Sequence, residues 1–313
     1  MAIRTVTVFG ASARQGQAQV RELLRQGFQP RAVTRQKDIF SGPDYRGATV
    51  VEADYDDVAS LDKACAQADA VFYQSAQLAG RDQILQQSIN VAEAAKRAGV
   101  KRFVLNSTMW SPDEPCGQPL YDSVLEIENA VAARQLPLVV FRPVLFMDNL
   151  LSGYCKPSII RESVYAYPQK PGLKMDYISL DDVGRFMIEG LRRDDLVGDR
   201  IRIGGPETLT PEDVVTILSE VLGRPIRHEY VTPRDFGHRF YEVAASALPI
   251  PRDAYVAFFD SFYTFNNESP HQPFRCDMRE VLQRIPLKLM TMREWAPRQD
   301  WTLEGEKIGS ASG

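Results

Sequence analysis

The chain has 313 residues, 44% apolar and 25% charged, with 20 glycines and 20 prolines, a balance that supports a sizeable core and excludes disordered and collagen-like architectures. Its 37 basic and 41 acidic residues leave a formal charge of −4, and without a basic patch nucleic acid is excluded as the principal partner. Four cysteines and three histidines lie too scattered along the chain for a disulfide framework or a metal site.

The N-terminus MAIRTVTVFG runs directly into a strand-like segment without signal-peptide organisation, and the longest apolar stretch, 138–147, is interrupted by Arg142 and Pro143. A soluble, cytoplasmic protein without a membrane contact is therefore expected. Short β-branched runs predict strands over 5–9, 31–34, 49–52, 70–74, 102–106 and 138–141, and helical periodicity predicts helices over 17–26, 58–66, 80–97 and 120–134. This alternation predicts an α/β fold, a doubly wound parallel sheet of the Rossmann type. Past Pro143 the pattern weakens: 150–171 reads as irregular, 180–192 as a helix and 200–203 as a strand. Thr210 with Pro211, Glu212 and Asp213 then starts a helix running through 221. The expected organisation is a dinucleotide-binding domain over 1–150, to which 177–206 returns, and a smaller interleaved substrate or lid lobe over 151–176 and 207–304, with a tail at 305–313. The aromatic stripe over 236–265 reads as helical packing.

The first strand ends in Gly10-Ala11-Ser12-Ala13-Arg14-Gln15-Gly16. Small residues there let the backbone approach a pyrophosphate at a helix N-terminus, with Ala13 where a glycine is usual. Enzymes that hold the ribose 2′-hydroxyl of NAD place an acid about twenty residues further on; Thr34-Arg35 stands there instead. The Arg35 guanidinium suits a 2′-phosphate, with Arg14 as a second contact, so NADP(H) is the expected cofactor. Asp54 and Tyr55, after the third strand, fall beside the adenine, although Asp54 and Asp56 equally suit helix capping before Val58; Gln74 and Ser75 border the nicotinamide ribose. Trp110, Phe146, Met147 and Tyr154 follow strand ends, where an apolar or aromatic ligand collects.

Taken together, the Gly10 to Gly16 loop, the stretch from Val100 to Thr108, the Asp122-Ser123 and Glu126-Ile127-Glu128 segment, Phe141-Arg142-Pro143 through Leu150, Asp181 to Gly184, and Leu209 through Pro225 resemble the NmrA-like group of atypical short-chain dehydrogenase/reductases. That resemblance implies a Rossmann domain binding NADP(H) under a smaller substrate lobe. It also implies either a reductase of quinones, aromatic or phenolic compounds, or a cofactor-sensing regulator. Reductases of this type carry a lysine after Asp-Ser, where this chain has Val124, and classical relatives use Tyr-x-x-x-Lys, where Tyr121 is followed by Leu125. Without that lysine a tyrosine near pKa 10 is only about 0.1% ionised at pH 7, so reduction is the feasible direction. The resemblance thus implies Tyr121 or water as the proton donor, with Ser107 and Thr108 steering the substrate oxygen. The expected function is an NADP(H)-dependent reductase of a small aromatic or quinone-like compound, the alternative a non-catalytic NADP(H)-sensing regulatory protein. Either is compatible with a homo-oligomer or a regulatory protein partner.

Overall fold

A computed structural model describes residues 2–75, 80–244 and 251–303. The expected tail at 305–313 and residues 245–250 of the aromatic stripe lie outside the described residues. Strands in chain order are β1 (Thr5–Val8), β2 (Gln29–Val33), β3 (Thr49–Val51), β4 (Ala70–Tyr73), β5 (Arg102–Asn106), β6 (Leu138–Pro143), β7 (Leu145–Phe146), β8 (Val164–Tyr167), β9 (Met175–Ile178), β10 (Arg200–Ile203), β11 (Thr208–Leu209) and β12 (Arg227–Tyr230). Helices are α1 (Arg14–Arg25), α2 (Val58–Cys65), α3 (Arg81–Arg97), α4 (Pro119–Ala132), α5 (Lys156–Glu162), α6 (Leu180–Arg192), α7 (Pro211–Leu222), α8 (Pro233–Ala244), α9 (Arg252–Glu268), α10 (Arg279–Arg284) and α11 (Met292–Trp295).

Seven strands pair in parallel in the order β10-β6-β5-β4-β1-β2-β3. Their near-continuous apolar sequences follow from burial on both faces. Along β1 and β4, Val6, Val8, Ala70 and Phe72 enter one core under α1 and α6, whereas Phe9, Val71 and Tyr73 enter the opposite core, which Leu61, Val91 and Ile127 of α2, α3 and α4 cover. This is the period of two along a strand. The order of connection reverses between β1 and β4, so a crevice opens at their carboxyl ends, where a parallel sheet takes its ligand.

The smaller lobe interleaves with this sheet. β10 pairs in register with β6, Arg202 opposite Arg142, and α6 packs on α1 closely enough that a Cβ at Gly184 would lie 3.2 Å from Glu22 Cβ. The segment read as irregular contains α5 and β8; at seven and four residues they are too short for periodicity to separate them from loop. β7, β9 and β11 form one small sheet, and β8 and β12 another. α7 opens on the predicted cap, with Thr210 and Asp213 bonding each other's backbone amides in a capping box. Residues 278–289 return to the first domain, burying Met278, Ile285 and Leu289 in the core beside α6 and β10.

Candidate active site

The loop after β1 is shaped by two glycines. Gly10 has φ +69°, a left-handed conformation. A Cβ on Gly16 would lie 2.2 Å from the Gly10 carbonyl oxygen and 2.6 Å from Ala11 Cα, so only glycine lets α1 press this closely on the loop. α1 begins at Arg14, three residues before the predicted start at Gln17, and brings Gln15 and Gly16 into its first turn. Ala13, at the N-cap, has φ −69° and ψ 156°, which explains how alanine replaces the usual glycine. It supplies no side-chain cap, and no acid stands in the first turn. The helix therefore presents its positive end and its amide donors to the crevice, a fit for a pyrophosphate.

A polar network fixes this loop to the sheet. Gln74 Nε2 donates to the Gly10 carbonyl at 3.1 Å, and Gln74 Oε1 accepts from Gln19 Nε2 at 2.9 Å. Asn106 Nδ2 donates to Gln15 Oε1 at 2.8 Å while its Oδ1 accepts from the Thr108 amide at 2.9 Å. Gln17 Nε2 holds the Ser12 carbonyl at 2.8 Å. Ser75 follows Gln74 and is buried. The sequence reading missed Gln19 and Asn106, which look like ordinary helix and strand residues until the fold brings them under the loop.

At the end of β2, Thr34 Oγ1 accepts from the Gln36 amide at 2.9 Å and turns the chain. Arg35 is exposed there, with no carboxylate partner among the described residues. The neighbouring Glu52 is neutralised by Lys37 at 2.6 Å, so the position favours an incoming anion. Tyr55 packs on Phe9 with ring centroids 6.0 Å apart; burial pushes its hydroxyl up to about 12, partly offset by the Gly10 amide beside it. Asp54 Oδ1 accepts from the Asp56 amide at 2.9 Å, but Asp57, and neither Asp54 nor Asp56, caps α2. Arg14 departs from its expected role as a second phosphate contact. Its Nη1 and Nη2 donate to the carbonyls of Asp148 and Leu151 at 3.1 and 3.2 Å, tying the loop to the entrance of the smaller lobe. Asp148 accepts from the Leu180 amide at 3.0 Å, and burial raises its carboxyl to about 6.

At the tip of β5, Ser107 Oγ lies 3.1 and 3.0 Å from the Met109 and Phe141 carbonyls, so its proton is committed to backbone. Thr108 has φ +65°, a strained conformation for a β-branched residue. Tyr121 sits in the first turn of α4, which Gln118 caps. It is 1% exposed, and its hydroxyl donates to Asn266 Oδ1 of α9 at 2.6 Å. Burial holds that hydroxyl well above the ordinary tyrosine range. Phe262 and Phe265 of α9 cover its ring, and Trp110 meets it edge-on at 4.8 Å. Val124 and Leu125, at the positions of the absent lysine, are buried. The four expected substrate residues do not share one wall: Trp110 joins Tyr121, Phe146 enters the sheet core, Met147 enters the lobe core, and Tyr154 packs at 4.4 Å on Phe240.

Among the described residues, no cluster of three or more metal-ligating side chains occurs, and no helix is long and apolar enough to cross a membrane. A family model described as the NmrA-like family matches residues 3–296. The chain belongs to this family. It is 32% identical over 186 residues to a (4-alkanoyl-5-oxo-2,5-dihydrofuran-3-yl)methyl phosphate reductase of Streptomyces griseus, a match covering 58% of this chain and 62% of that one. The chain thus spans less than two thirds of that curated relative. In structure this NmrA-like chain is similar to an NADPH-dependent quinone oxidoreductase from Escherichia coli complexed with NADPH, at a TM-score of 0.72 and 20% identity over 93% of this chain and 98% of the other. It is equally similar to NmrA, a negative transcriptional regulator, in complex with NADP, at a TM-score of 0.72 and 19% identity over 95% of each chain. These structural likenesses establish the shared fold.

Proposed function

We propose that this protein is an NADP(H)-dependent reductase of a small aromatic or quinone-like compound. The observation that carries the reading is the loop from Gly10 to Gly16, drawn so tightly across an uncapped, acid-free helix start that no Cβ fits at Gly16. The loop and the first turn of α1 hold the pyrophosphate, and Arg35 pairs with the 2′-phosphate at the end of β2. NADP(H), when bound, supplies the hydride. Ser107 and Thr108 position the substrate at the tip of β5, while Trp110 and Tyr121 form an aromatic wall. The Tyr121 proton is held by Asn266, so the proton for the product oxygen comes from water. A quinone fits this arrangement, because its reduced oxygen is delocalised and needs no strong protein acid.

Anaerobic mixing with NADPH and a panel of quinones and aromatic carbonyls tests the reading: loss of reduced-nicotinamide absorbance is the expected result. Tight NADPH binding without turnover supports the second reading, a cofactor-sensing regulator, which the aliphatic Val124 and Leu125 and the sealed Tyr121 hydroxyl favour. Arg35→Asp is expected to weaken NADPH at least tenfold while changing NADH little, from the loss of a charge-assisted guanidinium–phosphate bond. Equal losses for the two nucleotides in equilibrium dialysis remove the 2′-phosphate assignment.

A further inference from the structure

A cavity of ≈ 1150 Å³ opens at the free edge of the seven-stranded sheet, between the carboxyl ends of β6 and β10 and the segment around 270–285. Its wall includes Arg142, Arg200 and Arg202. Arg142 and Arg202 are register partners, and Arg200 lies two residues before Arg202, so all three project from the same sheet face. Two of these guanidiniums are accounted for. Arg142 makes a buried two-pronged pair with Glu128, its Nη2 2.7 Å from Oε2, and also reaches Asp113 at 2.6 Å. Arg200 approaches Glu128 at 3.7 Å and donates to Asn129 Oδ1 at 2.7 Å. Across the cavity, Arg275 is neutralised by Asp176 at 3.1 Å, and Arg279 and Arg284 pair with Asp277 and Asp199.

Arg202 is different. It has no carboxylate within ion-pair distance among the described residues, and its guanidinium lies over the Trp110 ring, 5.4 Å from the centroid. Three guanidiniums thus face two carboxylates at this strand edge, and the uncompensated charge belongs to Arg202. Its ring partner fixes the guanidinium plane, so little side-chain freedom remains to be lost on binding an anion. Ser107 follows the Asn106–Phe141 pair, level with Arg142 and Arg202. From Ser107 to Arg202 is therefore two strand spacings, about 10 Å, the length of a bicyclic aromatic ring bearing a small charged substituent.

We infer that Arg202 binds an anionic substituent of the substrate: a carboxylate or sulfonate carried by an aromatic compound whose ring lies toward Ser107 and Trp110. This rests on the reductase reading for the ring position but concerns a binding contact that is measured without turnover. The forked donors of Arg202 take the two oxygens of the anion from the cavity side, and the Trp110 indole transmits occupancy as a change in its own emission.

The test compares 1-naphthoate with its neutral analogue 1-naphthamide, each titrated into NADP-loaded protein by tryptophan fluorescence and by calorimetry. Wild type is expected to prefer the naphthoate at least tenfold. In Arg202→Gln the preference falls to about one while naphthamide binding persists, which also demonstrates that the variant is folded; Arg202→Lys retains an intermediate preference. Equal affinities in wild type, no saturable naphthoate binding, or an undiminished preference in Arg202→Gln each overturn the assignment. A parallel NADPH-oxidation assay with 1,4-naphthoquinone and its 2-sulfonate separates the two readings: absence of turnover with both counts against the reductase and leaves the binding result to decide on Arg202.

Discussion

At the scale of single residues, two positions determine how the loop behaves. The Gly16 hydrogen faces the Gly10 carbonyl at a separation no methyl group can occupy. Gly16→Ala is therefore expected to cost about 1–3 kcal/mol of stability through overpacking and to abolish measurable nucleotide binding, checked by urea unfolding and equilibrium dialysis; retained affinity contradicts the close-approach account. Asp148 carries a pH dependence. Burial places its folded pKa at about 6, above the ordinary value of 3.8, so the folded state favours the protonated acid. Stability is thus highest below about pH 4, declines as pH rises from there to about 6, and is level beyond. Asp148→Asn retains an acceptor for the Leu180 amide and removes the burial of charge. It is expected to gain on the order of 1–2 kcal/mol above pH 7 and nothing near pH 4, in paired urea titrations; a gain of equal size at both pH values assigns the effect to something other than ionisation.

At the scale of elements, the strands and most helices are legible in the sequence because each strand buries both faces and each helix buries one, which makes periodicity direct evidence of burial. Gly10, Gly16 and Arg35 are legible for the same kind of reason: a tight turn and a 2′-phosphate need particular residue types at particular separations. The destinations of Arg14 and Tyr121 are not legible. Arg14 bonds carbonyls 134 and 137 residues away, and Tyr121 an amide 145 residues away, and no local pattern encodes such pairings. The Glu128–Arg142 pair joining α4 to β6 was hidden likewise, since Glu128 reads as an exposed helical acid yet is fully buried. Glu128→Gln leaves the Arg142 guanidinium with only Asp113 at its edge and is expected to cost about 3 kcal/mol, read as a lower urea midpoint with an unchanged slope. A loss below about 0.5 kcal/mol places the pair among ordinary surface ion pairs.

At the scale of the molecule, the two lobes are joined by chain crossings and by a few polar ties, of which Arg14 is the one that starts inside the cofactor loop. Arg14→Ala removes both donors to the Asp148 and Leu151 carbonyls. It is expected to raise amide hydrogen exchange across residues 147–162 about tenfold with little change in the central strands, the signature of local rather than global opening. Uniform acceleration throughout the chain assigns Arg14 a general stabilising role instead.

The return of residues 278–289 to the first domain has a consequence for how the protein is made. Met278, Ile285 and Leu289 complete a core that otherwise draws on α1, α6 and the central sheet, so a nascent chain that has already emerged through β6 still lacks part of the wall behind its nucleotide crevice. The ribosome must release nearly the whole polypeptide before that half is sealed, and the N-terminal unit does not mature ahead of its partner as independently stacked domains do.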